Sequence, residues 1–166
     1  MDVVEKARVF ATAAHAAVGQ LRKYANEPYI VHPFEVAMTV KQVGGTPAMI
    51  AAAYLHDTVE DTGVTLEMIE REFGLEIRDM VFYLTDVSRP EMGNRAKRKA
   101  IDREHIAKAD AKAQTIKLAD IISNCSSIVK YDPEFAKVYL EEKRLLLEVL
   151  TKGDKILLDR ARKIVN

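Results

Sequence analysis

An all-α fold is what this sequence predicts, and three observations predict it. Apolar residues recur at helical spacing along most of the chain, and helix starts are marked by capping residues with proline following. No stretch shows the sustained alternation of a half-buried strand. There is no internal repeat. The 166 residues suffice for one domain with a real core, expected to span 1–166.

From Val3 to Val18 the apolar and alanine positions are spaced for a helix ending near Gly19. His15 lies on it, and a lone histidine in an alanine-rich helix reads as a packed or capping residue outside any site. Gln20 to Val31 reads as a loop carrying Arg22, Lys23 and Tyr24. A residue before proline is pushed out of the helical region, and proline suits a first turn. His32 is therefore expected at the mouth of a helix from Pro33 to Val43, where a metal ligand and a histidine cap look alike.

Gly44-Gly45 breaks the chain, and Thr46 as N-cap with Pro47 first opens the strong helix former Ala48 to Leu55. This helix is expected to run on through His56-Asp57-Thr58-Val59-Glu60-Asp61. At about 100° per residue, His56, Glu60, Asp57 and Asp61 fall within an arc of roughly 140°. Three carboxylates and an imidazole on one face repel one another and lose water unless a cation or a shared proton compensates. A bound metal is the simplest compensation; a solvated helix end is the alternative.

Thr65 caps a short helix to Phe73, and Gly74 separates it from another running to about Leu84. Leu66, Ile69, Phe73, Ile77, Val81 and Leu84 fall at helical spacing and read as core. Between Asp86 and Gly93 the chain is expected to loosen. The run Arg95-Ala96-Lys97-Arg98-Lys99 then opens a helix to about Lys108. Such a run is ordinarily a solvated face, but after a flexible loop it could also close as a phosphate clamp.

Gln114 to Val129 forms another helix, with Asp120 among apolar neighbours and Asn124 one turn further on the same face. An unpaired carboxylate there would cost several kcal/mol or stay protonated, so it needs a metal, a cation or N–H donors. Asp132-Pro133-Glu134 starts a helix through Tyr139 to Leu150, and Gly153-Asp154 resets the chain for a last helix to Val165.

Composition narrows the function classes. Hydrophobic residues make up 48% and charged residues 30%, and no apolar run reaches the length of a membrane span. The N-terminus lacks the basic start of a secretory signal, so a cytoplasmic location is expected. Cys125 is the single cysteine, which rules out an internal disulfide and a thiolate zinc set; it reads as a small core residue. Formal net charge is zero, giving no support to a grip on a nucleic acid polymer. A small anion needs only a local patch.

His32, His56, Asp57 and Asp120 together offer two imidazoles and two carboxylates from three helices. Mixed nitrogen and oxygen donors suit Mn²⁺, Fe²⁺ or Zn²⁺, and the lack of thiolates argues against a closed structural zinc site.

The joint pattern of Gln20-Leu21-Arg22-Lys23, Glu27-Pro28-Tyr29-Ile30-Val31-His32-Pro33, Leu55-His56-Asp57-Thr58-Val59-Glu60-Asp61-Thr62, Leu84-Thr85-Asp86-Val87-Ser88 and Lys117-Leu118-Ala119-Asp120 with Asn124 resembles a known family. It is similar to the HD-domain phosphohydrolases, and within them to the hydrolase domain of RelA/SpoT homologues and the small alarmone hydrolases. The resemblance implies a single HD-type helical bundle holding one Mn²⁺ between His32, His56, Asp57 and Asp120. It implies removal of the 3′-pyrophosphate from guanosine tetra- or pentaphosphate, with Glu60 and Asp61 as the acidic pair that positions or deprotonates the attacking water.

It also puts Arg22 against the base with Lys23 beside it, Asn124 and Tyr139 along the ribose, and Arg95 and Arg98 at the phosphates. Two stretches depart from the pattern: Tyr24-Ala25-Asn26 stands where many relatives have a shorter turn, and Cys125-Ser126-Ser127 where an arginine is common. Both bear on substrate identity and leave the metal set intact. The alternatives are the same chemistry on an adenine alarmone or a phosphorylated dinucleotide cofactor, and a non-catalytic nucleotide-sensing module. The length leaves no room for a synthetase domain, so degradation alone is expected. No partner beyond a small nucleotide is expected, and no oligomeric state is read.

Overall fold

The helix α3, Pro47–Leu55, is buried from Met49 to Leu55 on every side. A helix apolar all round must lie inside its unit. In the computed structural model, which describes residues 1–166, the chain forms two compact helical units, Met1–Thr85 and Asp86–Asn166.

In the first unit α3 is flanked by α1 (Val3–Ala17), α2 (Val31–Gln42) and α6 (Leu75–Leu84). α1 turns Ala7, Ala11 and His15 inward. Spaced four apart, these residues form one stripe, and two small alanines let the α1 backbone approach closely. α4 (Thr58–Asp61) leans on α1, and α5 (Leu66–Phe73) packs on α6. Gly74, at φ 88°, ends α5 and starts α6 in one residue, a conformation glycine adopts without steric cost.

The expected caps are present. The side chain of Thr46 accepts from Met49 N at 3.2 Å, and that of Thr65 from Met68 N at 3.2 Å. Two boundaries differ from expectation. α2 begins at Val31, so His32 lies inside the first turn rather than before it. Pro33 breaks no bond there, because the first N–H groups of a helix have no intrahelical acceptor anyway. The helix of the acidic face is also not continuous: α3 stops at Leu55, and α4 restarts after Asp57. At the break His56 Nδ1 meets Ala53 O at 2.6 Å, and the Thr58 hydroxyl donates to Leu55 O at 2.8 Å. These side chains bond carbonyls at the end of α3, as capping groups do.

In the second unit α8 (Ala111–Tyr131) is central, packed by α9 (Pro133–Leu147) and α10 (Lys155–Val165). α7 (Arg95–Ala107) precedes it. Asn94, Asp110, Asp132 and Asp154 each cap a helix through a side-chain acceptor. Gln114 is fully buried; it faces the carbonyls of Ile106, Ala107 and Ala109 and accepts from Lys152 N at 2.9 Å. The stretch 86–93 is more built than expected. Asp102 accepts from Val87 N, Ser88 N and the Ser88 hydroxyl at 2.7 to 3.0 Å, and Pro90–Met92 makes a 3₁₀ turn. An aspartate about two turns into α7 does the pinning, a contact no local pattern announces.

The only extended pairing is an isolated bridge between Leu21 and Pro28. No helix is long and apolar enough to cross a membrane.

Candidate metal centre

The break between α3 and α4 places His56 and Asp57 opposite His32 of α2. His56 Nε2 lies 3.1 Å and His32 Nε2 3.6 Å from Asp57 Oδ2. The two imidazoles are buried, with ring centroids 5.2 Å apart, and Asp57 is half-buried. One ligand atom from each of these three residues lies within 4.8 Å of the others. Nitrogen and oxygen donors about 2.0–2.2 Å from one small divalent ion sit roughly 3–3.5 Å apart, so the spacing fits.

The donor chemistry fits as well. His56 Nδ1 donates its proton to Ala53 O, which leaves the Nε2 lone pair directed at the centre. The Tyr29 hydroxyl donates to Asp57 Oδ2 at 2.5 Å and fixes the carboxylate. The first unit thus brings together two histidines and an aspartate whose donor atoms could hold a divalent metal ion.

Asp61 follows on α4 and is exposed, yet loss of water on its protein side and then the charge of Asp57 raise its carboxyl above the usual range. Gln20 Nε2 donates to Asp61 Oδ2 at 3.1 Å and pulls the other way. Gln20 in turn meets the buried His15 through Oε1, 2.8 Å from Nδ1, and the His15 ring lies 4.6 Å from that of Tyr29. Burial pushes the His15 imidazole down. His15 is the packed residue the sequence predicts, but it supports both Gln20 and Tyr29. Those two belong to the motif stretches, though nothing local assigns them a role. Glu60 is exposed beside Asp61.

Arg22 and Lys23 sit on the 20–29 loop, closed by Arg22 N donating to Glu27 O at 2.7 Å and Asn26 N to Arg22 O at 3.1 Å. Tyr24 (φ 71°) and Asn26 (φ 53°) occupy the left-handed region, uncommon for a tyrosine and held here by those bonds. Lys23 Nζ lies 5.0 Å over the Tyr24 ring.

In the second unit Asp120 is 6% exposed and already compensated. Lys117 Nζ stands 3.0 Å from its Oδ2, and Asn124 Nδ2 donates to its Oδ1 at 3.0 Å. The demand for a cation and an N–H donor is met one turn to either side. Tyr139 is half-buried on α9. Arg95 is committed to Glu142 in a two-pronged pair at 2.6 and 3.0 Å and lies over Phe135. Arg98 is half-buried, its Nε without a hydrogen-bond partner.

An all-helical chain with a paired histidine and aspartate at a helix break, joined by a second histidine, defines a class of metal-site protein. The HD-domain family model matches residues 7–146, and the chain belongs to that family. It is 38% identical over 132 residues to a protein of Synechocystis named a probable guanosine-3′,5′-bis(diphosphate) 3′-pyrophosphohydrolase, covering 78% of this chain and 17% of the relative. It is 41% identical over 110 residues to the guanosine-3′,5′-bis(diphosphate) 3′-pyrophosphohydrolase MESH1 of Xenopus tropicalis, covering 64% of this chain and 59% of the relative. The chain thus spans from under a fifth to about three fifths of the length of these relatives. A solved structure described as a metazoan orthologue of SpoT that hydrolyzes ppGpp superposes with a TM-score of 0.86 at 24% identity, over 99% of this chain and 94% of that one, which shows a shared fold.

Proposed function

We propose that this protein is a Mn²⁺-dependent hydrolase that removes the 3′-pyrophosphate from guanosine tetra- or pentaphosphate, giving GDP or GTP and pyrophosphate. The observation that carries it is the convergence of His32, His56 and Asp57 beside Asp61, whose carboxyl is biased toward holding a proton. The names of the relatives supply the substrate class. Asp120 is the fourth ligand in this reading, and residues 1–166 act as one HD-type domain in the cytoplasm.

The bound ion supplies Lewis acidity toward a phosphoryl oxygen and makes water a better nucleophile at neutral pH. The chain's own residues do the rest. Glu60 orients the attacking water, and Asp61 takes its proton at a carboxylate oxygen. The Gln20 hydrogen bond favours the ionised form of Asp61, the form that can accept it. Tyr29 holds Asp57 still. Arg22, with Lys23, lies on the base, Asn124 and Tyr139 line the ribose, and Arg95 and Arg98 face the phosphates; Arg95 must exchange Glu142 for that anion.

Product analysis tests the reading. Guanosine tetraphosphate incubated with the Mn²⁺-loaded protein is expected to yield GDP and pyrophosphate. Release from an adenine 3′-pyrophosphate or a phosphorylated dinucleotide instead would move the same chemistry to another nucleotide. Binding without turnover on any of them would make this a sensing module.

A further inference from the structure

The basic run that opens α7 continues as a stripe. Arg95, Lys99 and Arg103 stand four residues apart, so they share one face of the helix, and like charges at that spacing repel one another. Only Arg95 has a carboxylate to bond: its two prongs reach Glu142 of α9 at 2.6 and 3.0 Å. Lys99 and Arg103 are half-buried without one. The acids around them are engaged. Glu142 attracts Lys99 but has both oxygens on Arg95, Glu141 is held by both prongs of Arg144, and Asp102 accepts from Val87 and Ser88.

The stripe forms one wall of a cavity of about 620 Å³ between α7 and α9. Ala96 of α7 and Val138 and Leu145 of α9 supply apolar surface to it, and the stems of long cations add more. Val138 is 53% exposed, an apolar side chain left against water on the cavity wall. At about 100° per residue Val138, Glu141, Glu142 and Leu145 fall within an arc of about 100° on α9, and Tyr139, assigned above to the ribose, lies off that arc. The volume is that of a small-ligand site, for which roughly 300–1,000 Å³ is usual.

The charges select the ligand. Arg95 is balanced by Glu142, Glu141 by Arg144, and Lys137, which also lines the cavity, stands 3.4 Å from Glu134. Lys99 and Arg103 are left as uncompensated cations beside an apolar wall. We propose that this cavity is a second binding site, for a small organic anion whose aromatic or alkyl body packs on Ala96, Val138 and Leu145 while its carboxylate, sulfonate or phosphate meets Lys99 and Arg103. The planar fork of Arg103 can take two oxygens of such a group, and Lys99 adds a point charge. The site does not depend on the hydrolase reading.

Anilinonaphthalene sulfonate, an aromatic sulfonate that fluoresces on leaving water, is the probe, titrated into the full chain. Saturation at one molecule per chain is expected. Affinity is expected to fall about tenfold or more when Lys99→Gln and Arg103→Gln are combined, the scale of one lost hydrogen bond to a charged group. Val138→Asp changes an exposed position and is expected to lose as much, by setting a carboxylate on the apolar wall. Where the double variant fails to fold, Val138→Asp decides. Ile156→Asp, at a site 69% exposed on α10, and Lys163→Gln on the same helix are expected to bind as wild type does.

Unchanged affinity in folded Val138→Asp or in the folded double variant would overturn the site. An equal loss in Ile156→Asp or Lys163→Gln would overturn it too, by making the probe a stain for any exposed apolar residue or for net charge. Displacement of the probe by guanosine tetraphosphate would overturn it by placing the probe in the nucleotide site.

Discussion

The Tyr29 hydroxyl donates to Asp57 Oδ2 over 2.5 Å, and that same oxygen faces both His32 and His56. A residue on the loop before α2 therefore sets the direction of a carboxylate at the start of α4. The bond restricts Asp57 to the orientation in which it can complete a metal site, at the cost of one of its lone pairs.

Tyr29→Phe is expected to keep the fold and lower Mn²⁺ affinity by about 10- to 100-fold, the usual effect of losing a hydrogen bond to a ligand. Titration of the metal-free variant with Mn²⁺, followed by the loss of the free-ion resonance signal, checks this. Affinity equal to wild type would mean that Asp57 is oriented by its histidine neighbours alone.

Metal binding is linked to folding, because the unfolded chain has no preformed site. At a hundredfold excess over its dissociation constant, Mn²⁺ should stabilise wild type by about 2.7 kcal/mol. Asp57→Ala and His56→Ala are expected to lose this increment and the turnover together. Thermal melts with and without Mn²⁺ measure it; a full Mn²⁺ shift in Asp57→Ala would remove Asp57 from the ligand set.

Gln20 lowers the Asp61 carboxyl through its hydrogen bond, against the upward push of desolvation and of Asp57. In Gln20→Leu that downward pull is gone, so Asp61 holds its proton to higher pH. A base must be deprotonated to act, and the acid limb of the kcat profile is expected to move to higher pH. A limb that stays in place would assign the base to Glu60.

The helix starts and the polar cluster of His32, His56 and Asp57 were legible in the sequence because each rests on local chemistry. Thr46, Thr65, Asp132 and Asp154 cap within three residues of themselves. His32, His56 and Asp57 stand out as polar groups in apolar surroundings. The break at His56 was not legible, since helix propensity runs straight through it and the side chains that end α3 bond backwards only once α3 is formed. The roles of Tyr29 and Gln20 depend on contacts 28 and 41 residues away, which no spacing encodes. Asp120 was legible as a carboxylate in need of partners, though Lys117 as one of them was not singled out.

His15 is buried, and its imidazole is held below the ordinary value by that burial. Between its folded and unfolded pKa values the unfolded chain binds more protons. Its contribution to stability is therefore whole above the unfolded value, about 6.5, and is lost as pH falls through the lower folded value. His15→Gln is expected to flatten the fall in melting temperature between about pH 7 and pH 5. An unchanged slope would place the acid sensitivity elsewhere.

The measurement that bears most directly on the central claim is pyrophosphate release from guanosine tetraphosphate by metal-stripped protein as Mn²⁺ is added back. The His32, His56 and Asp57 centre predicts no release without metal and a rise that saturates near one ion per chain. Release that persists after chelation, or that never returns with Mn²⁺, would contradict it.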